Sequence, residues 1–209
     1  MIEILKQAPS YVVCVKPRGV LSESAPDGRG MPQLLAAALS LPDVYPVHRL
    51  DVTTAGLMVY ATTQDAAGAL SRALSDHRFH KTYLALCEGV PEPAIGVMED
   101  ELFFDRRKKQ AFVVDKPRGG TKSARLSYRV LSERTVADKP CALCEVVLET
   151  GRTHQIRVQF ASRRHPLLGD KKYGARLPYH GLSLWCRALS FPDPDTGETV
   201  SFALNMPEE

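Results

Sequence analysis

Apolar positions along this chain follow two rhythms, one of period two and one of helical spacing, and they mix without a fixed order. Tyr11-Val-Val-Cys-Val15 is a short apolar run that stops at Lys16-Pro17-Arg18-Gly19, where Pro and Gly mark a turn, so a first strand is predicted from about Tyr11. Residues 31–40 are helical in character. The stretch 56–62 is apolar on both faces and predicts a buried strand. Thr62, followed three residues later by Asp65, resembles a capping box. Ala67, Leu70 and Leu74 then recur at helical spacing, so a helix is predicted from about Thr63 to Ser75.

Residues 81–87 return to a strand pattern, as do 125–130 and 142–148. Thr153 would cap a helix carrying Ile156, Val158, Phe160 and Ala161, although periodicity alone leaves a strand open there. A last pair of strands, 182–189 and 199–204, flanks the turn Asp193-Pro-Asp-Thr-Gly197. Strands and helices without a βαβ alternation predict an α+β fold with a largely antiparallel sheet. The basic, Gly-containing stretch 105–122 reads as a mobile loop. The chain shows no internal repeat, and its 209 residues suit one domain over 1–209.

Composition narrows the class. Hydrophobic content of 44% and charged content of 24% fit a folded protein and not a disordered one. The N-terminal residues do not pair a basic region with an apolar one, and no apolar run reaches membrane-spanning length, so a soluble, cytoplasmic protein is expected. Five cysteines at irregular spacings argue against a disulfide framework. Cys141 and Cys144 have metal-ligand spacing but lie in a strand pattern, where positions three apart face opposite ways, so two small core residues are expected and no metal. The net charge is +3, and Arg106, Arg107, Lys108 and Lys109 form a basic run followed by Lys116, Arg118, Lys122 and Arg125. Such a run is ordinarily a solvated face.

Two constellations carry candidate chemistry. In His48-Arg49-Leu50-Asp51-Val52-Thr53-Thr54-Ala55-Gly56, a carboxylate precedes a buried strand, where it would be partly desolvated and would need a cation to stay ionised. Gly151-Arg152-Thr153-His154-Gln155-Ile156-Arg157 offers two arginines and a histidine able to hold a carboxylate or phosphates. Taken singly, the first is an ordinary turn and the second a surface ion-pair cluster.

Together with Lys81-Thr82-Tyr83 and the run His165-Pro-Leu-Leu-Gly169-Asp170-Lys-Lys-Tyr173-Gly174, in this order, they resemble the RluA family of pseudouridine synthases. Val15-Lys16-Pro17-Arg18-Gly19 and Pro192-Asp-Pro-Asp-Thr-Gly197 are similar to the family too, so the resemblance covers nearly the whole chain. It implies a single catalytic domain with a bent, mixed, mainly antiparallel sheet, flanking helices and a central active-site cleft. It also implies isomerisation of uridine in ribosomal or transfer RNA with no metal and no organic cofactor. Asp51 matches the family's catalytic aspartate and Tyr83 the tyrosine that packs on the target base. Arg157 matches the basic partner of the aspartate, Ile156 the apolar residue beside it, and Arg49 a residue that enters the RNA stack. His48, Thr54 and Arg152 are added as RNA-side contacts, and 106–109 become phosphate contacts.

These residue types suit that reaction. The N1–C1′ bond must break, the base turn and a C5–C1′ bond form, which a carboxylate serves as nucleophile or as acid and base. Swinging the base out of its stack costs about a few kcal/mol, and an aromatic platform returns roughly 1–3 kcal/mol.

The chain departs from the family pattern at Ala55, where Ser is frequent, at Ser22-Glu23, where His is frequent, and at Trp185-Cys186, where Leu-His is usual. The short lead before Tyr11 predicts no N-terminal RNA-binding S4 domain. Recognition is then expected to use an RNA stem-loop, with no DNA, no membrane and a monomeric protein. Two other readings stay open. One is a catalytically inactive RNA-binding protein on the same fold. The other is an aspartyl-phosphate phosphotransferase, for which Thr53 stands where a second acid is wanted.

Overall fold

A computed structural model describes residues 2–205; Met1, part of the segment read for a leader, and 206–209, the end of the 1–209 range, lie outside the described residues. The elements run β1 (Glu3–Gln7), β2 (Tyr11–Lys16), α1 (Met31–Leu39), β3 (Tyr45–Pro46), β4 (Ala55–Ala61), α2 (Gln64–Ser75), β5 (His80–Glu88) and β6 (Ile95–Asp105). They continue with β7 (Gln110–Val114), β8 (Thr121–Val136), β9 (Lys139–Leu148), α3 (Gln155–Ser162), a short 3-10 turn (Lys171–Tyr173), β10 (Leu184–Pro192) and β11 (Thr199–Ala203). Strand pairing is mixed but mainly antiparallel, and the fold is α+β, as the patterning predicts.

The described residues divide into two compact units, one formed by those up to Lys81 together with those from Trp185 on, the other by Thr82–Leu184. In the first, β2 pairs antiparallel with β1 and β4, β10 with β11, and β3 with β4, while β4 and β10 run parallel. Val12, Val13 and Cys14 of β2 and Leu57 to Ala61 of β4 are fully buried, which is why both strands are apolar on both faces. Leu70 on α2 is buried as well. Phe79 sits between Phe191, stacked at 5.2 Å, and the ring of His48, also at 5.2 Å.

In the second unit the order is β5-β9-β8-β6-β7, antiparallel throughout. Val158 of α3 joins Leu102, Ala111 and Ala124 of three strands in a buried cluster, with Phe104, Val113 and Tyr173 packed on it.

Several local expectations are corrected. The first strand is β1, whose alternation is hidden because its side chains are exposed or half-buried. The cap of α2 is Thr63 and not Thr62: its hydroxyl accepts from the Ala66 amide at 3.2 Å. Thr153 does not cap α3; His154 takes that place in a left-handed conformation with no side-chain cap bond. The 105–122 stretch, expected as a mobile loop, contains β7 and a tight turn. Asp105 Oδ1 accepts from the amides of Arg107 at 2.8 Å and Lys108 at 3.0 Å, closing the β6–β7 hairpin. β8 and β9 outrun the predicted 125–130 and 142–148, because Ala137 and Asp138 both adopt positive φ and join them as a hairpin.

Gly56 has a φ of 119° and lies opposite Cys186 where β4 and β10 run parallel. A Cβ there would overlap the Cys186 carbonyl oxygen and lie 2.6 Å from its amide nitrogen. Gly56→Ala is therefore expected to destabilise the protein by about 3 kcal/mol or more, through strain and overpacking together. Urea unfolding checks this, and a midpoint equal to that of the native protein would contradict it.

Candidate active site

The loop that carries Asp51 is built around a buried lysine. Lys16, at the end of β2, is fully buried. Its Nζ donates to the carbonyl oxygens of Pro17 at 2.9 Å, Val20 at 2.8 Å and Val52 at 3.3 Å. The Val52 carbonyl also accepts from the Gly19 amide at 2.8 Å. One residue earlier, the Asp51 carbonyl accepts from the Thr54 amide at 2.9 Å, which makes 51–54 a tight turn. Burial pushes the Lys16 ammonium down to about 8, opposed by the nearby Asp51 carboxylate. Asp51 itself is half-buried.

The segment before Asp51 is held as firmly. The Ser22 hydroxyl donates to the Leu50 carbonyl at 2.8 Å and accepts from the Leu50 amide at 3.2 Å. His48, assigned to RNA contact from the sequence, is buried, and its Nε2 accepts from the Val59 amide at 3.2 Å. Burial, and then the charge of Lys81, hold its imidazole well below the usual histidine range. It is thus a neutral prop for the loop, not a surface group. Thr54 is likewise buried. Arg49 is exposed and within 3.5 Å of Glu23, an exposed pair of small energetic weight. Arg18 stacks its guanidinium 4.8 Å from the Trp185 ring.

In the second unit Tyr83 is buried on β5, opposite Val146 of β9. Ile156 and Arg157 are buried on α3. Arg157 makes a two-pronged ion pair with Asp170, Nε to Oδ2 at 2.7 Å and Nη2 to Oδ1 at 2.9 Å. The Tyr173 ring lies 5.0 Å from the same guanidinium. Tyr173 Oη accepts from the Ala111 amide and shares a hydrogen bond with His154 Nδ1, each at 2.8 Å. Gln155 fixes the approach to α3: its Oε1 accepts from the Arg152 amide at 3.0 Å and the Thr150 hydroxyl at 2.9 Å. Arg152 donates from Nε to the Ser123 carbonyl at 2.9 Å, bracing β8.

Arg106, Arg107, Lys108 and Lys109 are all exposed at the β6–β7 turn, and Lys172 Nζ donates to the Lys109 carbonyl at 3.0 Å. That gathers five cations at one hairpin tip. Lys16, Asp170 and Tyr173 received no role from sequence reasoning, although all three stand inside matched motifs. Each acts through a partner distant in sequence, which spacing does not reveal. Among the described residues, no cluster of three or more His, Cys, Asp or Glu has metal-ligand geometry. Cys141 and Cys144 are both buried on β9.

A model of the RNA pseudouridylate synthase family matches residues 10–162. The chain is 30% identical over 180 residues to an uncharacterized RNA pseudouridine synthase of Haemophilus influenzae, covering 83% of this chain and 74% of that one. It is 35% identical over 175 residues to a ribosomal large subunit pseudouridine synthase D of Zymomonas mobilis, covering 78% of this chain and 53% of that one. So it spans about three quarters of the first relative and about half of the second. Among solved structures, human RNA pseudouridylate synthase domain containing 4 superposes with a TM-score of 0.80 at 25% identity, over 98% of this chain and 88% of that one. Human RNA pseudouridylate synthase domain containing 1 has the same fold, with a TM-score of 0.83 at 24% identity over 99% and 84% of the two chains.

The buried Lys16 makes a prediction. Lys16→Met takes a donor from the Pro17 and Val20 carbonyls, while Val52 keeps the Gly19 amide, at about 1–3 kcal/mol for a group left unsatisfied. Since the folded-state value of about 8 lies below the ordinary lysine value of 10.5, the unfolded chain holds this proton more tightly between the two. Raising the pH through that window strips the proton from the unfolded state, so native stability rises with pH by an amount Lys16→Met lacks. Urea unfolding of both proteins at several pH values from 7 to 11 measures the difference. Parallel curves would contradict the buried charge.

Proposed function

We propose, since this chain belongs to the RluA family of RNA pseudouridine synthases, that it converts uridine to pseudouridine in ribosomal or transfer RNA with Asp51 as its catalytic residue. The observation that carries the reading is the extent of the family match: residues 10–162 include Asp51, Tyr83 and Arg157 in one continuous matched segment. Asp51 acts on the nucleotide as nucleophile or as acid and base, Tyr83 packs on the extruded uracil, and Arg157 is the cation that favours the carboxylate form of Asp51. Ile156 is the apolar residue beside Arg157 on α3.

The reaction is an isomerisation. The N1–C1′ bond breaks, the uracil turns, C5–C1′ forms, and the proton that C5 gives up is balanced by one gained at N1. No group is oxidised and none is lost to water, so the residues named suffice.

Arg49, exposed and loosely paired, is the side chain that takes the gap left in the RNA stack. Arg152 and the hairpin cations 106–109 contact phosphates, with a stem-loop as the preferred RNA form. We place the protein in the cytoplasm as a monomer, its 209 residues forming one catalytic domain. Among the described residues no helix is long and apolar enough to cross a membrane.

Incubation with unmodified large-subunit rRNA and tRNA transcribed in vitro, followed by pseudouridine mapping, tests this. The native protein is expected to install pseudouridine at discrete positions. Asp51→Asn is expected to abolish turnover while RNA affinity changes by less than about tenfold, because affinity comes from phosphate contacts. Native-like turnover by Asp51→Asn would remove Asp51 from the mechanism.

A further inference from the structure

The carboxylate of Asp51 is only as well aimed as the two peptide groups on either side of it. On the C-terminal side the constraint is ionic: the Val52 carbonyl is held by Lys16 Nζ and the Gly19 amide. On the N-terminal side it is a single hydroxyl. Ser22 is buried, with 3% of its surface exposed, and its Oγ serves the amide and the carbonyl of Leu50 at once, at 3.2 and 2.8 Å. One side chain thereby does what a neighbouring strand would need both an N–H and a C=O to do. With donor and acceptor of the same residue both engaged, Leu50 has little freedom to rotate, and Asp51 follows it in the chain.

Ser22 is itself anchored from two directions. Its carbonyl accepts from the hydroxyl of Tyr60 at 3.0 Å, and Tyr60 is fully buried on β4. The preceding carbonyl, that of Leu21, accepts from the amide of Met31 at the start of α1 at 2.8 Å. The hydroxyl is therefore fixed to the core of the first unit, and through Leu50 it fixes the residue before the catalytic one. The burial of Ser22 gives it no surface to offer RNA.

We propose that Ser22 is a positioning residue of the reaction, its hydroxyl clamping both peptide polar groups of Leu50 so that Asp51 is held in reacting orientation. The inference rests on Asp51 being the catalytic residue. Loss of the hydroxyl releases one loop residue while the Lys16 anchor and the β2–β4 core remain, so the expected defect lies in turnover and not in RNA capture. Misplacement of a reacting group by an ångström costs roughly 100-fold in rate, and a partial release of the loop less.

The experiment compares native protein, Ser22→Ala, Ser22→Thr, Tyr60→Phe and Asp51→Asn on the in vitro transcribed rRNA and tRNA, measuring kcat, KM, RNA affinity and Tm for each. Ser22→Ala is expected to lower kcat by about 10–100-fold with KM and RNA affinity unchanged, at a temperature where Tm shows it fully folded. Ser22→Thr keeps the hydroxyl and is expected to recover most of the turnover. Tyr60→Phe, which loosens Ser22 without removing its hydroxyl, is expected to lower kcat by a smaller factor, again at constant KM. A Ser22→Ala kcat within about twofold of native overturns the clamp, as does an equal loss in RNA affinity or a Ser22→Thr variant as slow as Ser22→Ala. An active Asp51→Asn, or an inactive native protein, refutes the assignment of Asp51 or of the activity instead, so the two failures are distinguishable.

Discussion

A buried ammonium group is the constraint on which the first unit's functional loop depends. Lys16 has no surface in contact with solvent, and an unpartnered charge in that position would be very unfavourable. Three backbone carbonyls supply what water does not, and they come from Pro17, Val20 and Val52. Two stretches of chain, the turn after β2 and the turn holding Asp51, must therefore close on one point. The Pro-Arg-Gly turn, the Gly19 amide on Val52 and the half-buried setting of Asp51 all follow from this convergence.

The second unit solves a similar problem differently. Arg157 is buried on a short helix with no side-chain cap, and Asp170 meets it with both carboxylate oxygens. An ion pair taken out of water contributes little net stability over an apolar pair of the same size, but removing one partner is costly. Its value here is directional. The planar guanidinium is held by the Asp170 carboxylate and lies beside the Tyr173 ring, whose hydroxyl reaches β7 and His154. The hairpin that bears the basic tip is thus tied to the residues around Arg157, since Lys172 and Tyr173 hold Lys109 and Ala111 respectively.

Much of this was legible in the sequence, and the parts that were not share a cause. β2 and β4 announced themselves as two-faced apolar runs because both of their faces are buried. The spacing of Leu70 and Ala67 gave α2 to within a residue, with neighbouring threonines competing for the cap. β1 and β7 escaped notice because they are short and few of their side chains are buried, so period two never shows. Asp51, Tyr83 and Arg157 were singled out by motif order, not by periodicity, and their roles are those proposed above. Lys16, Ser22 and Asp170 define the settings of two of them, and those roles lie in contacts that spacing does not encode: Ser22 reaches Leu50 across 28 positions. His48, expected to contact RNA, is instead buried and accepts from the Val59 amide.

In the proposed reaction the carboxylate of residue 51 meets a uridine swung out of its RNA. The most direct measurement is a crystal structure of Asp51→Asn bound to an RNA stem-loop that the native protein modifies. The target uridine is expected to be extruded, with its uracil against the ring of Tyr83 and its C1′ within van der Waals contact of the residue 51 side chain. A uridine still stacked in its helix, or an RNA seated away from residue 51, would contradict it.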